Sequence, residues 1–411
     1  MAEWFSAPVE RIALVNPPWR FEGSRFWACR EPHLPIELLY AEAILRRAGF
    51  RTRVVDAHLE GLSIHQLADQ VAGFQPNLIV ITTAPTYLFW RCAQPELDLP
   101  AEVCRLLRAT APVVAVGPHG SATPGYVLGR LGCDAVVRGE PEEELLRLAA
   151  GEPSPATVWG VQASRGELGS PTVADVARLP ALDYSDYPLE HRAHRHHVFW
   201  GDGRGAEVES SRGCPYHCSF CNRRYFRTRY RARPIESVIA ELKQLRSRGV
   251  DYVYFIDEIF GLGQTDALLQ ILAEERIMHF GCQTRIDLWD ERRLDQLAAA
   301  GCISVEFGLE SPFPEIQSSL KKGYHIEPER ILELMVYAKS RIPWVQGDLV
   351  ELPGTPPDLR RKTEEWRQKA IGCGVWVSEP VRLFPYPGSD LYEQMIGPVD
   401  DESWLRAQAT C

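Results

Sequence analysis

The chain has 411 residues and a net charge of −10, with 45% hydrophobic and 24% charged residues. That is the composition of an ordinary globular protein of two or three domains, and the acidic balance argues against general nucleic-acid binding. No apolar run reaches the roughly 18 residues of a membrane helix, Met1-Ala-Glu-Trp-Phe5 shows no signal peptide, and 11 cysteines with a single tight cluster suit a reducing, cytoplasmic setting.

Residues 1–150 read as a doubly wound α/β domain. Short β-branched runs at Ile12–Val15, Val54–Val55, Leu78–Ile81, Val113–Val116 and Ala135–Val137 suit strands covered on both faces. Helical spacing lies between them, in Ile36, Leu39, Tyr40, Ala43 and Ile44, and again in Ile64, Leu67, Ala68 and Val71. Such alternation implies a parallel sheet with ligands at its C-terminal strand ends. The loops there are Asn16-Pro17-Pro18-Trp19, Asp56–Gly61, Thr82-Thr83-Ala84-Pro85, Gly117-Pro118-His119-Gly120 and Arg138-Gly139-Glu140. A Rossmann-like domain that has lost its ligand is the plain alternative.

Residues 151–205 are rich in Pro and turn residues and read as an interdomain linker with Trp159, Tyr184 and Tyr187 to bury. His191, His194, His196 and His197 cluster there, and a solvated loop accounts for them more simply than a metal site. Residues 206–390 return to strand–helix units, with strands expected at Ala206–Ser210, Tyr252–Ile256, Cys282–Arg285, Cys302–Phe307, Gln346–Glu351 and Val375–Leu383. Residues 391–411 form a tail too short for another substantial domain.

The tight cysteine cluster, Cys214-Pro-Tyr-His-Cys218-Ser-Phe-Cys221, follows the first strand of the second half, where barrel-type α/β enzymes carry their chemistry. A disulfide would leave one thiol over, and a structural zinc site usually takes four Cys/His ligands. Three thiolates on a short loop suit an iron–sulfur cluster with one iron open to a small chelating molecule. Directly after it come Arg223, Arg224, Arg227, Arg229, Arg231 and Arg233, interleaved with Tyr225, Phe226 and Tyr230. The simpler account is a solvated run that balances an anionic cluster; the functional one is contact with an anionic or phosphate-bearing small substrate.

The spacing C-x-x-x-C-x-Φ-C, with Phe220 as the aromatic, resembles that of the radical S-adenosylmethionine (SAM) superfamily. The N-terminal half resembles the cobalamin-binding domain found ahead of the radical barrel in many of its members. The resemblance implies a Rossmann-like domain followed by a partial (β/α)6 barrel. It implies a [4Fe–4S] cluster on Cys214, Cys218 and Cys221, SAM on the open iron, cobalamin, and an electron donor such as flavodoxin or ferredoxin. On the SAM side it points to Phe220, to the strand-end acids Asp257 and Glu258, to Arg285, whose guanidinium fork suits a carboxylate, and to Glu310 in Phe307-Gly-Leu-Glu310-Ser311. Glu351-Leu-Pro-Gly354 and Pro385-Tyr-Pro-Gly388 resemble turns near adenosine. On the cobalamin side it points to Asn16, Pro17, Thr83, Gly117, Gly120 and Glu140. The stretch Asp56-Ala-His58-Leu-Glu-Gly61 matches the cobalt-ligating D-x-H-x-x-G motif, but it follows the second strand and not the first, so His58 is read as a loop residue. The paired glycine expected after the fourth strand is replaced by Gly117-Pro-His-Gly120.

The implied activity is methyl transfer to an unactivated carbon, or to phosphorus, of a small molecule. One SAM methylates cob(I)alamin and a second yields the 5′-deoxyadenosyl radical, so the cofactors carry the hard chemistry. The enzyme rivals are a dehydratase, epimerase, cyclase or rearrangement enzyme with cobalamin unused or absent. A methylthiotransferase is weaker, because no second cysteine cluster or RNA-binding domain is apparent. An iron–sulfur electron carrier or zinc-stabilised module would have little use for so many polar strand ends.

Overall fold

A computed structural model of the chain describes residues 8–20, 32–85, 97–160, 168–185, 187–189 and 204–410. These fall into two compact units. The histidines at 191, 194, 196 and 197 lie outside the described residues. No helix among those described is long and apolar enough to cross a membrane.

The first unit is built on a sheet of β1 (Arg11–Asn16), β2 (Arg51–Asp56), β3 (Leu78–Thr82), β4 (Val113–Val116), β5 (Ala135–Val137) and β6 (Thr157–Trp159), in the order β2-β1-β3-β4-β5-β6. The first five are parallel and β6 runs antiparallel on the edge. Side chains alternate across a strand, so each strand feeds two cores. Ala13, Val15, Ile79, Ile81, Val113, Ala115 and Val136 pack with the helices Ile64–Phe74, Asp98–Leu107 and Pro124–Leu131. Ile12, Leu14, Val80, Val114, Val116 and Val137 pack with Ile36–Arg47 and Glu142–Ala149. Burial on both faces is why these strands read as unbroken apolar runs. Ser63 and Gln66 form a capping box that starts Ile64–Phe74. The chain leaves β1 toward β2 on one side and returns to β3 on the other, which makes the β1/β3 ends a topological switch point.

Two stretches do more here than their sequence suggests. The stretch expected to be a linker supplies the edge strand β6, and its Tyr184 and Tyr187 are buried, with the Tyr187 hydroxyl donating to Asp56 Oδ2 at 2.5 Å. The short C-terminal helix Ser403–Thr410 also belongs to this unit. Its Trp404 is fully buried, donates from Nε1 to Thr123 Oγ1 at 2.9 Å and meets His119 edge-on at 5.2 Å.

The expectation for the arginine run is corrected at two of its positions, Arg227 and Arg233, which are buried. Residues 222–228 belong to the first unit, where Arg227 is buried 3.7 Å from the buried Glu37, and Arg224 pairs with Glu393 and Asp390. Arg233, in the second unit, is fully buried against Glu241 at 2.8 Å and donates to the Glu209 carbonyl at 2.7 Å. The guanidiniums of Arg227 and Arg233 serve buried ion pairs, so neither a solvated run nor an anion site describes them, whereas Arg224 makes its pairs at the surface.

The second unit carries a parallel sheet of β7 (Arg204–Val208), β10 (Val250–Phe255), β11 (His279–Thr284), β12 (Cys302–Glu310), β13 (Trp344–Glu351) and β14 (Trp376–Val377), with β15 (Val381–Arg382) also on β13. A separate antiparallel pair joins β8 (Ser211–Arg212) to β9 (Arg231–Ala232). Helices Ile235–Ser247, Thr265–Glu275, Glu291–Ala299, Pro328–Lys339 and Pro357–Gly372 alternate with the strands. Parallel pairing at every step along β7-β10-β11-β12-β13-β14 is the expected partial barrel, and its sixth strand position is split into β14 and β15. Phe255, Phe260 and Phe280 form an aromatic cluster that fixes β10 beside β11.

Candidate functional site

The cysteine loop leaves the end of β7 and is tied down on several sides. Asp257, at the end of β10, accepts from Ser210 N at 2.9 Å and from the hydroxyls of Ser210 and Ser211. Glu258 accepts from Gly213 N at 2.7 Å. Farther along, Ser219 N donates to Leu320 O at 2.9 Å and Cys221 N to Cys218 O at 3.2 Å. The acidic pair expected to face SAM thus holds the root of the loop. Cys214, Cys218 and Cys221 are half-exposed, whereas Cys104, Cys133, Cys282 and Cys302 are buried. Burial pushes the Cys133 thiol up to about 12 and raises those of Cys104 and Cys282, so these stay protonated and inert. Among the described residues no three His, Cys, Asp or Glu side chains converge as ligands of a single ion. A cubane cluster needs less convergence, since each thiolate binds a different iron.

Arg285, just past β11, has its fork occupied. Nε donates to Asp287 Oδ1 at 2.9 Å and Nη2 to Oδ2 at 3.0 Å. Nη2 also donates to Lys322 O at 2.6 Å, and Nη1 lies 4.0 Å from Cys218 Sγ. Two of its nitrogens, Nε and Nη2, which the expectation turned toward the SAM carboxylate, thus have partners within the protein. Glu310 ends β12 at φ +60°, a left-handed conformation that is costly outside glycine and tends to persist at functional sites. Its carboxylate is ion-paired with Lys322 Nζ, which also donates to Gly308 O at 2.9 Å. Phe220 is half-buried within the cysteine loop. The turn at Gly388 lies against Asn222 and Tyr225 in the first unit. Lys322, Tyr216 and Tyr324 went unnoticed in the sequence, where nothing in their local pattern marks them.

In the first unit, the residues expected to hold cobalamin are largely bonded to their own scaffold. Asn16 Nδ2 donates to Asp56 Oδ1 at 2.8 Å and its Oδ1 accepts from Trp19 Nε1 at 2.7 Å. Pro17 is buried. Thr83 Oγ1 lies 3.3 Å from His119 Nδ1. Gly117, at φ +130°, precedes the short helix Pro118–Ala122, in which a Cβ on Gly120 would come within 2.4 Å of Val136. Glu140 Oε2 accepts from Ala174 N at 3.3 Å. Thr82, placed by the sequence in a ligand-side loop but not singled out there, buries a hydroxyl at the end of β3 with no hydrogen-bond partner among the described residues.

Comparison with known proteins adds the family. The model of the radical SAM superfamily matches residues 208–366, from the end of β7 through the cysteine loop and on past β13, and the B12 binding domain model matches 29–149. The chain carries a radical SAM domain. A B12 binding domain precedes its radical SAM domain. It is 26% identical over 403 residues to an uncharacterized methyltransferase of Pyrococcus horikoshii, covering 94% of this chain and 83% of the relative. It is 22% identical to the anaerobic magnesium-protoporphyrin IX monomethyl ester cyclase of Rubrivivax gelatinosus, covering 94% and 70%. Its fold is that of the radical SAM methyltransferase TsrM of Kitasatospora setae, solved with cobalamin and a [4Fe–4S] cluster, with a TM-score of 0.73, 20% identity and coverage of 94% and 75%.

As a radical SAM protein with a B12 binding domain, the chain uses a [4Fe–4S] cluster, SAM and cobalamin. The residues fit these groups. Three half-exposed thiols on an anchored loop suit the cluster. The buried, unsatisfied hydroxyl of Thr82 beside the β1/β3 switch point suits a polar ligand at that sheet end.

Asp257 makes the loop root pH-sensitive. Burial pushes its carboxyl up to about 6, above the unfolded value near 4. The folded state therefore keeps a proton that the unfolded chain releases between about pH 4 and 6. The contribution of this group to stability falls as pH rises through that window and is level above it. In cluster-free protein, the advantage of wild type over Asp257→Asn in urea unfolding should be larger at pH 5 than at pH 7. An equal advantage at both values would refute the assignment.

Proposed function

We propose that this radical SAM protein is a cobalamin-dependent methyltransferase acting on an unactivated carbon, or phosphorus, of a small molecule. The observation that carries the reading is the pairing, in one chain, of a B12 binding domain with the cysteine-loop barrel, along which a methyltransferase relative aligns over 94% of this chain and 83% of its own. When bound, the cluster supplies the electron that splits SAM and the corrin supplies the methyl carrier. Cys214, Cys218 and Cys221 hold the cluster at the end of β7, and Asp257 and Glu258 keep their loop in place. Glu310 and Lys322 form a charged pair at the end of β12 suited to the polar part of SAM. Thr82, Thr83 and the Gly117–Gly120 turn line the corrin-side strand ends.

For a substrate R–H, the balanced outcome is R–CH3, S-adenosylhomocysteine, methionine and 5′-deoxyadenosine from two SAM and two electrons. The hydrogen of R–H ends on 5′-deoxyadenosine. The electrons come from a one-electron donor of the flavodoxin or ferredoxin class. Incubation with methyl-labelled SAM, reductant and substrate should place the label in the product, with S-adenosylhomocysteine and 5′-deoxyadenosine in comparable amounts. The cyclase relative supports a second reading, ring formation or rearrangement by the same radical. Substrate consumption with 5′-deoxyadenosine but neither label transfer nor S-adenosylhomocysteine would replace the first reading with the second.

A further inference from the structure

Arg285 stands between two parts of the radical site in the second unit. Its guanidinium lies 3.7 Å from the ring centroid of Tyr216, inside the cysteine loop, and 4.9 Å from that of Tyr324. Nη1 is directed at Cys218 Sγ at 4.0 Å. Through Nη2 it grips the carbonyl of Lys322, whose ammonium binds Glu310 and Gly308 O. Arg285 and Lys322 are both buried, so their charges act with little solvent screening. Asp287 is the counter-charge of Arg285.

We propose that Arg285 and Asp287 form a charge pair that sets the reduction potential of the cluster on Cys218, with Arg285 also positioning the cysteine loop against the Glu310 end of β12. The proposal rests on the reading of the three cysteines as cluster ligands. A fixed cation beside a ligand sulfur favours the reduced, more negative cluster, and charge and hydrogen bonding at the sulfurs are the protein's usual controls of potential. Removing Arg285 leaves Asp287 uncompensated near Cys218, while removing Asp287 leaves Arg285 as net positive charge.

The two substitutions therefore have opposite signs. In anaerobically reconstituted full-length protein, titrated without substrate and followed by electron paramagnetic resonance of the reduced cluster, Arg285→Gln should lower the midpoint potential. Asp287→Asn should raise it, and Arg285→Lys, which keeps the charge but not the fork, should stay near wild type. A purely structural role would move both first variants the same way or neither, and either result overturns the proposal. If Arg285→Gln takes up no iron, the Asp287→Asn and Arg285→Lys arms decide: a raised and an unchanged potential support the proposal, and any other pair overturns it. Because the titration needs no methyl transfer, a chain that proves not to be a methyltransferase leaves this test intact. A wild type that takes up no iron overturns both readings.

Discussion

Alanine at Cys214, Cys218 or Cys221 should abolish both iron uptake at the loop and reductive cleavage of SAM. The wild-type protein, reconstituted without oxygen, should carry about four irons there, the content of a [4Fe–4S] cluster. With one thiolate gone, a cluster that already leaves one iron without a cysteine has only two protein ligands, and 5′-deoxyadenosine formation should drop to background. Cys373→Ser is the control, because Cys373 is exposed and on another segment, and it should change neither quantity. Iron and sulfide analysis with chromatographic detection of 5′-deoxyadenosine reads both. Full SAM cleavage by a triple-alanine variant would refute the ligand assignment.

The second large effect is on stability. Arg233→Ala should destabilise the second unit by about 3–5 kcal/mol, the usual cost of leaving one member of a buried ion pair alone. Arg233 and Glu241 are both fully buried, 2.8 Å apart, and Arg233 also caps the Glu209 carbonyl. The loss should come mainly from the stranded Glu241 carboxylate. The double variant Arg233→Met with Glu241→Leu, which removes both charges, should therefore recover most of it. Arg229→Ala, at an exposed position of the same run, should stay within about 0.5 kcal/mol of wild type. Urea unfolding of the cluster-free variants measures all three. Equal losses for Arg233→Ala and Arg229→Ala would mean that the run is uniformly solvated after all.

The contrast between these two arginines marks where the sequence stops being informative. Positions 229 and 233 carry the same residue in the same basic, aromatic-flecked stretch, and no local pattern separates them. What separates them is the opposite wall of the fold, a glutamate on the helix Ile235–Ser247 for one and solvent for the other. Arg285 is similar. Its type and strand-end position were legible, and Asp287, two residues on, takes part of its fork locally, but the Lys322 carbonyl that takes another part comes from a loop beyond β12, 37 residues away.

By itself, the sequence determined what depends on neighbours along the chain. The cysteine spacing specified the cluster loop, because three ligands on eight residues need no distant partner. The apolar runs specified the parallel sheets, because burial on both faces leaves its mark within each strand. Tertiary structure alone decided what depends on residues far apart. The three-residue edge strand β6 is too short to carry a period and exists because β5 offers it hydrogen bonds. Trp404 finds Thr123 across 281 residues, and no periodicity predicts such a contact. Glu310 has its left-handed backbone and its lysine partner because the end of β12 slips in register beside β13. Local spacing records which chemistry a segment can perform. Only packing decides which side chains remain available to perform it, because burial and charge pairing are set by whatever the fold brings opposite them.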